Sequence, residues 1–299
     1  MLKKSFIAAF VLGMAVFTNL YARGNLTVKF RNGLEFTMVF VEGGSFKMGS
    51  KNIEECPMHR VCLNDFYLSE TEITQDVFAN VMKKNPSYFK GEEGDTSFGN
   101  HPVDSVSWYD AIYFCNLLSI RQKLEPCYSV DGVSDPAYWD YQPCEGNHFF
   151  EKIYCNFNAD GYRLPTEAEW EFAARGGNES RGFYYSGANN LNEVAWNSEN
   201  SSSTNEVGKL KPNELGLYDM TGNVYEWCWD WFSREYYEAS EIENPRGPIS
   251  GITRVYRGGS WEKSNIYNME WTITCRSKNG NYPDTSNSTM GFRIARTIK

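Results

Sequence analysis

The chain has 299 residues, 41% hydrophobic, 22% charged and 16% aromatic, with a formal net charge of −9. Those are ordinary globular values that allow a sizeable core. The negative charge is spread along the chain with no Lys/Arg stripe, which argues against nucleic acid as a partner.

From the start, Lys3 and Lys4 precede an apolar run over 6–20, and Leu20-Tyr21-Ala22 follows with a small final residue. That order predicts a secretory signal over 1–22, with the mature domain over 23–299. The run is shorter than the roughly 20 residues that cross hydrocarbon, and no later segment is long and apolar enough, so no membrane span is expected after cleavage. The expected location is exported, periplasmic or extracellular. Eight cysteines in such a chain can pair. Cys127 and Cys155 flank a polar, Gly-rich insertion and are the favoured disulfide, while Cys115 reads as a buried thiol.

Short strand signals follow at 26–31, 35–41, 46–48, 60–68, 254–257 and 292–296. Three helix starts carry capping signals. Thr74 precedes Val77, Phe78, Val81 and Met82 on one face. Ser107 with Asp110 opens a helix whose Trp108, Ala111, Ile112, Cys115 and Leu118 recur at helical spacing. Thr166 with Glu169 forms a T-x-x-E box, and Gly176-Gly177 stop that helix. Long irregular stretches at 90–101, 125–159 and 176–212 separate them. No period of roughly 20 to 50 residues repeats, so solenoids and propellers are unsupported. Short strands, few helices and long loops give an α+β fold.

Seven blocks then appear in order. They are Glu42-Gly43-Gly44-Ser45-Phe46-Lys47-Met48-Gly49, Glu70-Thr71-Glu72-Ile73-Thr74, His101-Pro102-Val103-Asp104-Ser105-Val106-Ser107-Trp108 and Tyr162-Arg163-Leu164-Pro165-Thr166-Glu167-Ala168-Glu169-Trp170. Gly216-Leu217-Tyr218-Asp219-Met220-Thr221-Gly222-Asn223-Val224-Tyr225-Glu226-Trp227, Arg257-Gly258-Gly259-Ser260-Trp261 and Gly291-Phe292-Arg293 complete them. Over residues 39–296 the chain resembles the formylglycine-generating-enzyme, or sulfatase-modifying-factor, family, which implies its variant of the C-type-lectin fold. The same glycines and tryptophans also serve turns and core packing.

The family's oxidases hold copper on two cysteines shortly after the Gly-Gly-Ser turn, thiolates being suited to Cu(I). At those positions the resemblance places Lys263 and Asn268, so copper is not expected. Cys275 beside Arg276 matches neither position. His59, His101 and His148 are isolated, and His101 reads as a capping or packing residue. No catalytic residue is therefore assigned.

Resemblance to the family's calcium site implies side-chain oxygens from Asp219 and Glu226 and carbonyls of Met220, Gly222 and Val224, a hard-oxygen set suited to a structural calcium. The alternative is a carboxylate pair bonded to backbone N–H groups. The segment after the turn is rich in Asn, Ser, Thr and Tyr, residues that make adaptable contacts. It is similar to the ligand-binding face of the family's non-catalytic relatives, including retroelement-diversified variable proteins, and the alternative is an ordinary polar loop. Ser260, Trp261, Lys263, Asn265, Tyr267, Asn268 and Arg276 are the expected ligand-binding residues, for a small molecule or protein. The function expected is a non-catalytic binding member; the alternative is an oxidoreductase modifying a sulfatase cysteine through a non-standard site.

Overall fold

The structure, a computed structural model, describes residues 24–50, 57–92, 94–145, 152–262 and 280–299. The expected signal over 1–22 lies outside them. The first strands, β1 (Leu26–Lys29) and β2 (Glu35–Val41), pair antiparallel with Leu26 opposite Met38. Successive strand residues face opposite ways, and along β2 this divides the molecule. Met38 is buried in one hydrophobic cluster, whereas Val39 and Val41 are buried in a second. A small hairpin of β3 (Ser45–Met48) and β4 (His59–Cys62) follows, then β5 (Phe66–Ser69). In β5 the division repeats: Tyr67 joins the first cluster, Phe66 and Leu68 the second.

Two helices cover the first face. In α1 (Gln75–Met82) Thr74 Oγ1 accepts from Val77 N, and Val77, Phe78 and Val81 are buried; Lys83 ends the helix in a left-handed conformation. In α2 (Trp108–Arg121) the Ser107–Asp110 box makes both of its hydrogen bonds. The stretch expected to be irregular then carries the β6 (Tyr128–Val130) and β7 (Ile153–Cys155) ladder. After β8 (Tyr162–Arg163), α3 (Glu167–Ala174) opens on its Thr166–Glu169 box and buries Trp170, Phe172 and Ala173 against the second face.

The remaining elements are β9 (Tyr225–Trp231), α4 (Tyr236–Ala239), β10 (Arg254–Arg257), β11 (Met290–Gly291) and β12 (Ala295–Thr297). The main sheet has the order β1-β2-β5-β12-β8, and a second has the order β10-β9-β11. The result is the expected α+β architecture, a five-stranded sheet with a core on each face.

Two local strand expectations are corrected, and one strand was not expected. The strand expected over 60–68 is two strands in different sheets, because Cys62 N bonds to Ile242 O and Asn64 N to Asn244 Oδ1, which pulls the chain out of line. Of the one expected over 292–296, only Ala295 and Arg296 are in a strand, β12; Phe292, Arg293 and Ile294, all fully buried, separate it from β11. The strand β9 was not expected, although Tyr225, Trp227, Trp229 and Trp231 alternate with Glu226, Cys228 and Asp230; unusually for such a pattern, the carboxylates are on the buried set. Cys127 and Cys155 are buried thiols, and the residue opposite Cys155 in the β6–β7 ladder is Tyr128.

Candidate functional site

Arg293 of the Gly-Phe-Arg block enters the interior between the two sheets and is fully buried. Its Nε and Nη2 donate to the two oxygens of Glu226, at 2.6 and 2.7 Å. Nη1 donates to Ser69 O and Nη2 to Tyr218 O, each at 2.9 Å. Trp170 of α3 adds its indole N–H to Glu226 Oε2 at 2.7 Å. One guanidinium thus joins the end of β5, the start of β9 and the loop before Asp219. Sequence reading missed Arg293 and Trp170 as site residues; a charge inside an otherwise apolar run, Phe292-Arg293-Ile294, was the available signal.

The loop from Asp219 to Glu226 is held by tight backbone approaches. At Gly222 φ is +83°, and a Cβ there would lie 2.2 Å from Trp196 O. Gly222 N bonds to Gly258 O, and Trp261 N bonds to Asn223 O, so this loop is stitched to the Gly258-Gly259-Ser260-Trp261 turn. A Cβ on Gly258 would lie 3.7 Å from both Met220 O and Val224 O, so two of the carbonyls expected to bind calcium converge on that glycine.

The side-chain oxygens divide. Asp219 Oδ2 accepts from Gly208 N at 2.7 Å, but buried Oδ1 has no hydrogen-bond partner. Burial pushes the Asp219 carboxyl up to about 6, against the pull of the Gly208 N–H and Arg293. Glu226, by contrast, already spends both oxygens on Arg293 and Trp170. The Asp219 oxygen and the carbonyl cradle therefore fit a hard cation, while the Glu226 carboxylate is committed elsewhere. Glu72 stands beside this set, 1% exposed with neither oxygen hydrogen-bonded. Burial, reinforced by repulsion from Asp219 and Glu226, raises its pKa well above the carboxylate range. Among the described residues no three His, Cys, Asp or Glu side chains converge as a metal set.

Of the expected ligand-binding residues the structure describes Ser260 and Trp261; Lys263, Asn265, Tyr267, Asn268 and Arg276 lie outside the described residues. Ser260 is buried, and its Oγ accepts from Glu262 N. Trp261 donates its indole N–H to Ser288 O at 3.0 Å and meets Phe89 edge-on at 5.3 Å. Phe89 in turn packs edge-on against Tyr88, which is 74% exposed, so a partly solvated aromatic rim borders the turn.

Burial raises the thiols of Cys115, Cys155 and Cys228 well above their usual range, Cys127 to about 11 and Cys144 to about 12. None is poised as a thiolate near neutral pH. His101 packs on the Phe98 ring with Nδ1 3.4 Å from Thr204 Oγ1.

Residues 27–298 match the sulfatase-modifying factor enzyme 1-like domain, and the chain belongs to that family. Chaperone protein LppX of Paenibacillus barcinonensis is 38% identical over 280 residues, covering 87% of this chain and 89% of that protein. The formylglycine-generating enzyme of Streptomyces coelicolor is 31% identical over 289 residues, covering 86% of this chain and 88% of its own. The solved structure of Treponema denticola variable protein 1 superposes with a TM-score of 0.81 at 39% identity, covering 92% of this chain and 99% of that one.

Proposed function

We propose that this protein is an exported, non-catalytic member of the family that binds a protein or small-molecule ligand through the face around the Gly258–Trp261 turn, on a scaffold holding a structural calcium. The observation that carries the reading is the pair Lys263 and Asn268 at the two positions where the resemblance puts copper-binding cysteines. An ammonium repels Cu(I) and an amide is a poor soft-metal ligand, so copper affinity falls far below that of a dithiolate. The aromatic rim of Tyr88, Phe89 and Trp261 supports the binding side of the proposal, because such rings offer rigid, amphipathic contact area. Similarity to a protein named as a chaperone and to a variable protein fits binding better than oxidation.

The test is incubation of the purified protein with a cysteine-containing sulfatase peptide, copper and oxygen, read by mass spectrometry. No aldehyde product is expected. The second reading, oxidation through a non-standard site, is favoured only by the 31% identity to a formylglycine-generating enzyme. An aldehyde product abolished by Cys275→Ser would establish that reading and overturn ours.

A further inference from the structure

We propose that the cleft between β2 and the start of α1 binds a primary ammonium group carried on a short alkyl stem, with Glu72 as its counter-ion. The inference goes beyond the ligand-binding face and the calcium reading above and depends on neither.

The cleft arises where the chain leaves β5. Glu70 N donates to Thr37 O beside β2, but Ile73 N bonds instead to Phe292 O, so the chain departs from β2 on its way into α1. The gap encloses about 270 Å³. Its lining divides by depth: Ser69, Glu72, Ile73 and Val77 are each at most 2% exposed, whereas Glu35 and Asn100 are exposed. The first four therefore form the closed end and the last two the mouth.

The closed end carries a carboxylate with no donor. Neither Glu72 oxygen has a hydrogen-bond partner, and among the described residues Glu72 enters no ion pair. The hydroxyls next to it in the chain are spent on backbone, Ser69 Oγ donating to Thr71 O and Thr71 Oγ1 to Glu72 O. A buried carboxylate that accepts nothing is costly, and such groups in folded proteins are paired or meet a cation.

The remaining wall selects an organic cation. No Lys, Arg or His lines the cleft, and Glu70 adds a second carboxylate without an ion pair among the described residues. Leu34, Phe36, Ile73 and Val77 supply apolar contact. A metal ion gains nothing from such walls, since it needs a shell of oxygens. An alkyl stem gains by leaving water, while its ammonium supplies three N–H donors to the carboxylate. The volume suits a group the size of a lysine side chain. Two sources carry that chemistry, a free aliphatic diamine and a lysine of a partner protein.

The test is calorimetric titration of the purified protein with cadaverine, with N-acetyl-lysine methylamide and with neutral pentanediol, in chelator and again with calcium chloride. Binding of an amine but not of the diol is expected in both buffers. The tighter of the two amines identifies the source. Glu72→Gln is expected to weaken the amine about tenfold or more, the loss typical of a charge-assisted hydrogen bond. Asn100→Trp, which fills the mouth and leaves Glu72 in place, is expected to do the same and decides the matter should Glu72→Gln not fold. No amine binding, equal binding of the diol, or unchanged affinity in either folded variant overturns the proposal. Competitive displacement of the amine by calcium overturns it as well, because it would mark an inorganic-cation site. A missing calcium response in the melting curve would leave the amine result standing.

Discussion

At the scale of single residues, Arg293 shows how a charge can be structural. Its five N–H donors form a planar fork, and the fork spans a carboxylate and two carbonyls from three separate segments. Removing one partner of a buried ion pair leaves the other charged and unpaired, which typically costs about 3 to 5 kcal/mol. Arg293→Ala is therefore expected to lower unfolding free energy by about that amount in urea denaturation. Arg293→Lys should recover little of it, because an ammonium cannot reproduce two parallel hydrogen bonds. Near-wild-type stability of the lysine variant would show that charge alone matters. Chelation is expected to lower the melting temperature, since an ion bound only by the native state stabilises it by mass action, about 2.7 kcal/mol at a hundredfold excess over Kd. Because Glu226 anchors Arg293, Glu226→Gln should destabilise the protein even in excess chelator. A variant indistinguishable from wild type without calcium would contradict that role.

At the scale of elements, the helix starts were legible because a cap is a local device. The hydroxyl and carboxyl of Ser107–Asp110 and of Thr166–Glu169 satisfy N–H groups within three residues, so the pattern lies in the sequence itself. Thr166→Ala is expected to cost about 1 kcal/mol, and an unchanged denaturation midpoint would show that burial of Trp170 and Phe172 alone holds α3. Strand pairing was less legible. Cys127 and Cys155 flank the polar insertion, and the β6–β7 register sets Tyr128 against Cys155. In native protein at pH 8, Cys115, Cys127, Cys155 and Cys228 are expected to resist iodoacetamide, since they are buried and their raised pKa leaves little thiolate. Unfolding without reductant should expose all four to alkylation. A recovered peptide linking Cys127 to Cys155 would mean that the strand ends move to bridge in an oxidising compartment.

At the scale of the whole molecule, the five-stranded sheet is common to both cores. Met38 and Val39, adjacent in β2, belong to opposite clusters, as do Tyr67 and Leu68 in β5. Neither face can lose its packing without freeing strands that the other needs. A single cooperative transition is expected, with coincident loss of far-UV and near-UV circular dichroism. Two separated transitions would show that the α1–α2 face and the α3 face unfold independently. No described helix is long and apolar enough to cross a membrane.

The sequence by itself determined the family, through seven blocks in order, and the helix starts, through caps that act within one turn. The tertiary structure alone decided which carboxylates are free. Glu226 meets Arg293 across 67 positions and Trp170 across 56, and Glu72 comes beside Asp219 only after β5 and β9 have been brought together around that guanidinium. Spacing within one loop identifies oxygens that could reach an ion, but a carboxylate's availability depends on every donor that the fold packs against it. Such donors arrive from distant segments, and the local sequence pattern carries no record of them.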